Sequence, residues 1–443
     1  MSQGRRAWII VGNVLEIIGT LLSATSYGPG QLIAGRVVIG VGNGLITSMC
    51  PIYVAEMAVE PKKRGRGVDM LIAMATSGAS LAYWTDFGMV FTSGQVVWRF
   101  PVAFVIVIAL TSIALIAPLP DTPRWYYAKD REAVADSVLQ RLTAGSMVEN
   151  QFDAIKAEII ASIELEQSNS EGLRLKDFFW DTSATQSARR IRTGMILLSL
   201  AYLQGIDFLF YYTTTIFQSY IGLAPLTASS LSGALNTVEA LFNWTSLPFL
   251  ERMGRRQWLL IGGSLQTLFL IILTGLVAHA GPKTAAAAAA MLFGFVVAFG
   301  PGWGPFAYVY SSEIMPLRYR HIGFSLSISC QWLFAFVTVF AGPIAVENGK
   351  SHGWATWIWF VVFNGISVPF VYFCCPETRG RSLEEIDLVF MQGGLGDTDA
   401  GQTLARGGVG MESCKGFGED DSFEGGRVYE KDGLGINSKG TMG

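Results

Sequence analysis

Runs of about twenty mostly apolar residues recur along this chain, and nothing in it constrains the fold more. Ten lie near 7–25, 31–54, 67–90, 99–118, 193–217, 228–250, 257–279, 285–311, 322–346 and 354–375. Within a bilayer the backbone must satisfy its own hydrogen bonds, so runs of this length read as helices. Only 15% of the residues are charged, against roughly 25% in a soluble domain. The fold class is therefore all-α and polytopic. The net charge of −3 gives no reason to expect a nucleic-acid partner. Arg5 and Arg6 precede the first run, which is longer than the roughly 7–15-residue core of a signal peptide and reads as a span.

The loops set the expected topology. Cations gather at Arg5-Arg6, at Lys62 to Arg66, across 119–192, and around Arg252, Arg318 and Arg379. The intervening loops at 26–30, 91–98, 218–227 and 280–284 are nearly free of them, and 347–353 carries only Lys350. The cation-rich loops fall on one side, which the positive-inside rule assigns to the cytoplasm. Ten spans put both termini there. Ala133–Leu142 and Phe152–Leu165 carry apolar residues at helical spacing and predict short cytosolic helices. Residues 395–443, Gly-rich and acidic, predict a disordered tail.

The chain also resembles itself. Gly4-Arg5-Arg6 recurs 250 residues on as Gly254-Arg255-Arg256. Glu56, with Pro61 and Arg64 behind it, recurs 257 residues on as Glu313 with Pro316 and Arg318. Pro120-Asp121-Thr122 recurs 256 residues on as Pro376-Glu377-Thr378. Three polar signatures repeat in one order, on one face, as in carriers built from parallel repeats. Two spans precede the Gly-Arg-Arg loop in the second half and none in the first. The expectation is an N-terminally truncated chain with ten spans of a twelve-helix design. The expected domains are an incomplete four-helix bundle (1–118), a cytosolic linker (119–192), a six-helix bundle (193–375), a cytosolic motif segment (376–394) and the tail (395–443).

With these motifs in hand, the chain resembles the sugar-porter family of the major facilitator superfamily, fungal hexose transporters above all. The resemblance covers about 4–390. Besides the repeated signatures it rests on Gly35-Arg36, Tyr53 to Glu56 with Arg64-Gly65, Trp98-Arg99, and Pro120 to Trp125. Further marks are Gly205-Ile206 with Tyr211-Tyr212, Glu251 to Arg256, Trp303-Gly304-Pro305 before Glu313 to Arg318, and Ser382 to Asp387. It implies a fold of two pseudo-symmetric helix bundles that move a monosaccharide or polyol by alternating access. It implies that Arg64, Glu56, Arg124, Arg255, Glu313, Arg318 and Glu377 form a network of ion pairs at the cytosolic helix ends. Such pairs can bias two packings close in energy.

The family reads its sugar with amides near the membrane midplane, and here the match departs. Its Gln-Gln pair and Asn on the seventh helix align with Ala201, Tyr202 and Asp207, its Gln on the fifth with Ile72, its Trp on the tenth with Tyr308, and its Asn on the eleventh with Gln331. A site that hydrogen-bonds a polyol discriminates strongly through such groups. The expected substrate is therefore a sugar or polyol other than glucose, held by Tyr202, Asp207, Tyr211, Tyr212, Asn236, Trp303, Tyr308 and Gln331. Asp207 is the sharpest candidate, because an intramembrane carboxylate is costly and usually functional. Glu16 and Glu239 also fall inside spans, and Glu239, one turn beyond Asn236, can line the same pathway. Uniport and proton symport both stay open, since the helix that most often bears a coupling acid in proton-linked relatives is the absent first one.

No enzyme is expected: no nucleophile–base or metal-ligand constellation appears, and no cofactor is implied. Cys50, Cys330, Cys374 and Cys375 read as small apolar residues, and Gly40 to Gly44 as a helix-packing stretch. The expected setting is the bilayer, with the plasma membrane as compartment, a small sugar or polyol as partner, and protons as a further candidate. Two other functions are weighed: a transporter-like sugar sensor that signals through its tail, and an inactive product of truncation.

Overall fold

The computed structural model describes residues 3–58, 61–144, 152–169, 186–249, 253–279, 284–315, 320–348, 354–379 and 390. The predicted tail lies outside them. The described residues are helical, without β-strand. The first helices are α1 (Arg5–Ala24), α2 (Pro29–Met57), α3 (Pro61–Met89) and α4 (Val96–Ile116). Three short helices follow: α5 (Pro123–Tyr127), α6 (Glu132–Thr143) and α7 (Phe152–Asn169). Then come α8 (Ser187–Leu203), α9 (Ile206–Thr215) running into a π turn at Ile216–Tyr220, α10 (Pro225–Phe249) and α11 (Arg255–Ala278). The last are α12 (Ala285–Phe299), α13 (Trp303–Glu313), α14 (Arg320–Asn348) and α15 (Ala355–Cys374).

Eight helical stretches among the described residues are long and apolar enough to cross a membrane, with α8–α9 and α12–α13 each counted as one. α3 and α10 are long enough but more polar. The reason is their position. α1–α4 pack chiefly on one another, as do α8–α15, and α3 carries the main join by lying along α10 and touching α13. Their polar side chains satisfy each other across that seam. Ser246 donates to Asp69 (2.9 Å), Trp244 to Ser77 (3.0 Å) and Trp84 to Thr237 (2.8 Å), while the Ser80 and Thr237 hydroxyls pair at 2.9 Å.

Faces turned away from the seam are apolar. Ile261, Leu265, Leu268 and Ile272 are exposed on one stripe of α11, as are Leu333, Phe336, Phe340 and Ile344 on α14. Apolar stripes of this extent suit lipid rather than water. Within the first half, α1 and α2 meet backbone to backbone: a Cβ on Gly42 would stand 2.6 Å from the Gly12 carbonyl oxygen. Of the Gly40 to Gly44 stretch, Gly42 alone carries that packing, since nothing lies within 4 Å of a Cβ on Gly40 or Gly44.

The two short helices predicted between 119 and 192 appear as α6 and α7. One acid ties them to α5: the Tyr127 hydroxyl donates to Asp136 at 2.5 Å, and Lys156 pairs with it at 2.9 Å. The Tyr127 hydrogen bond, then Lys156, hold the Asp136 carboxyl below the usual carboxylate range. A lowered acid stabilises the folded arrangement fully above the unfolded value, about 3.9, and loses that contribution as the pH falls through the folded value. Amide exchange in α6 and α7 is therefore expected to accelerate only under strong acid, and to do so at neutral pH in Asp136→Ala. Unchanged protection in that variant would remove the tie.

Candidate functional site

Two sets of polar residues stand out, one at the helix ends and one inside the spans. The first is built twice. Arg5 at the start of α1 pairs with Glu56 near the end of α2 at 3.1 Å, and Arg255 at the start of α11 pairs with Glu313 at the end of α13 at 3.0 Å. The second carboxylate oxygen of each glutamate accepts from a threonine at 2.7 Å, Thr122 in one copy and Thr378 in the other. Tyr53 donates to the Pro120 carbonyl at 2.9 Å, and Tyr310 to that of Pro376 at 3.0 Å. Arg6 reaches the Leu119 carbonyl, and Arg256 that of Tyr372.

A carboxylate also caps each helix. Asp121 accepts from the Arg5 backbone N–H at 3.0 Å, and Glu377 from those of Arg255 and Arg256 at 2.9 and 3.2 Å. These N–H groups have no partner within their helix, and the positive end of the helix dipole favours the negative charge. The cap explains the glycines. A Cβ on Gly4 would fall 1.6 Å from Asp121 Oδ2, and one on Gly254 2.0 Å from Glu377 Oε2. Only a residue without a side chain lets the carboxylate that close. Both ion pairs join helices of the same half. They clamp each bundle at one end instead of bridging from one half to the other.

Of the expected network, Glu56, Arg255, Glu313 and Glu377 meet in these clamps. Arg124 lies in the first turn of α5, directly after the Thr122-Pro123 corner. The side chain of Arg64 and all of Arg318 lie outside the described residues. Sequence reasoning left out Arg5, Asp121, Tyr53 and Tyr310. The repeat was the signal that could have supplied them, because each is the counterpart of a residue in the other copy.

The second set gathers around a break in the seventh span. Gly205 has φ +97°, the left-handed region open chiefly to glycine, and ends α8. A Cβ there would also meet Phe360 at 2.5 Å. The break puts Asp207 in the first turn of α9, where the helix dipole suits an anion. Tyr202, just before the break, shares a 2.7 Å hydrogen bond with Tyr308 on α13. Gln331 on α14 is buried, faces the Tyr308 hydroxyl and keeps an unpartnered carbonyl oxygen. Asp207 lies within electrostatic reach of Tyr202, Tyr308 and Glu239. Asn236 is fully buried on α10, its amide donating to the Ser232 carbonyl and its oxygen unpartnered.

The remaining candidates stand apart. Trp303 is fully buried between α13 and α11, its indole donating to the Leu259 carbonyl at 2.9 Å. Tyr212 packs on Phe208 and donates to the Val339 carbonyl of α14 at 3.3 Å. Tyr211 is 67% exposed, within electrostatic reach of Asp207 and Arg36. Sequence reasoning missed Tyr83, which comes from α3, donates to the Phe210 carbonyl and faces Asn236.

The sequence matches the profile of a family described as "Sugar (and other) transporter" over residues 2–390. This chain belongs to that transporter family. It is 32% identical over 399 residues to the Sugar transporter STL1 of Saccharomyces cerevisiae, covering 87% of this chain and 68% of the relative. It is 28% identical over 398 residues to the Galactose-proton symporter of Escherichia coli, covering 88% of this chain and 81% of the relative. The fold matches that of XylE, a proton:xylose symporter from E. coli, with a TM-score of 0.73 at 22% identity, over 87% of this chain and 83% of the symporter. It is therefore an integral membrane protein with the major facilitator fold, in a family of carriers rather than of enzymes.

Proposed function

We propose that this protein moves a monosaccharide or related polyol across the plasma membrane by alternating access. One observation carries the reading. Inside apolar spans sits a buried set of hydroxyls, amides and carboxyls whose polar atoms are only partly paired. Asn236, Glu239 and Gln331 each keep an unpartnered oxygen. Such atoms are expensive in a bilayer and are retained where a polar ligand meets them. A polyol brings the donors they lack. Tyr202, Tyr308, Gln331, Asn236 and Asp207 are the residues assigned to it.

α3 and α10 complete ten spans in this reading, with both termini of the chain cytoplasmic. The four-helix group over 1–118 and the six-helix group over 193–375 rock about the α3–α10 seam, and 119–192 and 376–394 lie beneath them. The two clamps keep each group rigid during that motion. Their ion pairs, with Arg64, Arg124 and Arg318, supply the charge balance of the cytosolic face. Protons are proposed as the second partner, since the Galactose-proton symporter of Escherichia coli is among the similar proteins.

Uptake of labelled glucose, xylose, galactose and small polyols into vesicles holding the purified protein tests this reading. Saturable uptake of at least one, with glucose not preferred, is the expected result. Sugar that binds and never crosses would point to the sensor instead.

A further inference from the structure

On the proposed transport reading rests one step more. We infer that Glu239 is the group through which a proton crosses with the substrate: its carboxyl is buried in mid-helix, one oxygen has no partner, and no described cation faces it. Glu239 is 2% exposed. Its Oε1 accepts only a 3.5 Å contact from Asn243, and its Oε2 has no hydrogen-bond partner. It stands between Asn236 and Asn243 on α10, both buried and both with an unpartnered amide oxygen. Three unpartnered acceptor oxygens therefore line one stripe of one helix, and the long Asn243 amide contact is the one donor that Glu239 has among the described residues.

The surroundings narrow the role. On α9 the titratable side chains are Asp207, Tyr211 and Tyr212, and on α13 Tyr308, Tyr310 and Glu313; of these Asp207 is within electrostatic reach of Glu239, as is Tyr202 at the end of α8. α12 bears no titratable side chain, and the π turn bears only Tyr220. α3 offers Asp69, Tyr83 and Asp86, and its cations, Lys62, Lys63, Arg64 and Arg66, all precede Asp69 at the cytosolic end. Asp69 is held by Ser246, seven residues and so about 10 Å along α10 from Glu239. A structural carboxylate at this depth needs a cation or several N–H donors. Glu239 has neither. Asp207 differs, because the positive end of α9 gives it a place for charge.

A carboxyl so placed works by exchange. With the pathway open outward, a proton passes from water to the Glu239 carboxylate. The neutral acid then donates to a substrate hydroxyl or a neighbouring amide oxygen while the site is closed. With the pathway open inward, the same proton returns to water on the other side. No other bond forms or breaks.

The test uses the full chain in liposomes, with labelled xylose and glycerol as probes and a trapped pH dye. One coupled proton and an outside-acid gradient of one pH unit are worth about tenfold accumulation of the moving solute. Wild type is expected to approach that value and to acidify the lumen when solute is added. Glu239→Gln is expected to level off at no accumulation while still exchanging labelled for unlabelled solute. Glu239→Asp is expected to recover part of the gradient response, which separates a need for the carboxyl from a need for its packing. Full accumulation by Glu239→Gln overturns the inference, as does solute flux in wild type without proton flux. Loss of exchange together with accumulation in both variants also overturns it, in favour of a structural role. Failure of wild type to move any solute, proton gradient or not, is a separate result that brings down the transport reading itself.

Discussion

Arg255→Ala is expected to destabilise the protein by about 2 kcal/mol, because it strands the Glu313 carboxylate at a largely buried helix end. The pair is 3.0 Å apart, and its side chains are only 13% and 23% exposed. Exposed pairs contribute about 0–1 kcal/mol, and fully buried ones cost about 3–5 kcal/mol when broken, so a partly buried pair falls between. Arg5→Ala should match it within error, since Arg5 and Glu56 stand 3.1 Å apart at 15% and 8% exposure. Thermal unfolding of detergent-solubilised protein reads both. Adding Glu313→Ala to Arg255→Ala should cost less than the two singles together, because the stranded carboxylate is then gone. Adding Glu56→Ala to Arg255→Ala should be additive, since the described partners of the two clamps, Arg5 and Thr122 in one and Glu313 and Thr378 in the other, belong to different halves. A clear loss in one copy and none in the other would break the equivalence of the two clamps.

Tyr308→Phe is expected to lower the uptake kcat/KM by about thirtyfold, or about 2 kcal/mol. The change leaves the Tyr202 hydroxyl buried without the 2.7 Å partner it has now, and a site with an unpaired polar group rejects a polyol that it would otherwise orient. Tyr202→Phe with Tyr308→Phe should cost less than the sum of the singles, because removing both partners leaves neither stranded. The controls stand a few residues away. Tyr212→Phe loses only a 3.3 Å contact with a backbone carbonyl and should leave KM unchanged. Trp303→Phe loses the Leu259 bond and should lower stability more than KM. If Trp303→Phe raises KM as much as Tyr308→Phe does, the pocket assignment is wrong.

Much of this molecule can be read before any coordinates exist. The apolar runs locate the helices, and even the break in the seventh span is marked by Gly205. The ordered motifs point to the family, and the repeat offsets point to two copies of one device at the helix ends. What sequence reasoning mistook were partners. Arg5 passed as a topological charge, although it is the counterpart of Arg255. Trp303 passed as a sugar-binding aromatic, although helix α13 turns it toward α11 and the glycines at 262 and 263. Glu239 was set below Asp207, although Glu239 is the more deeply buried of the two.

The division has a physical cause. Backbone hydrogen bonding in a bilayer is satisfied within each helix, so a single segment's composition decides that it spans and where it ends. That part is local, and the sequence holds all of it. Pairing is not local. Arg5 meets a glutamate 51 residues away and an aspartate 116 residues away, and the rotation of a helix about its axis selects which polar face meets a neighbour. Periodicity names the faces of a helix. Only the packing of the described helices on one another decided which of those faces look at lipid, at the seam, or at the buried set around Tyr202 and Glu239.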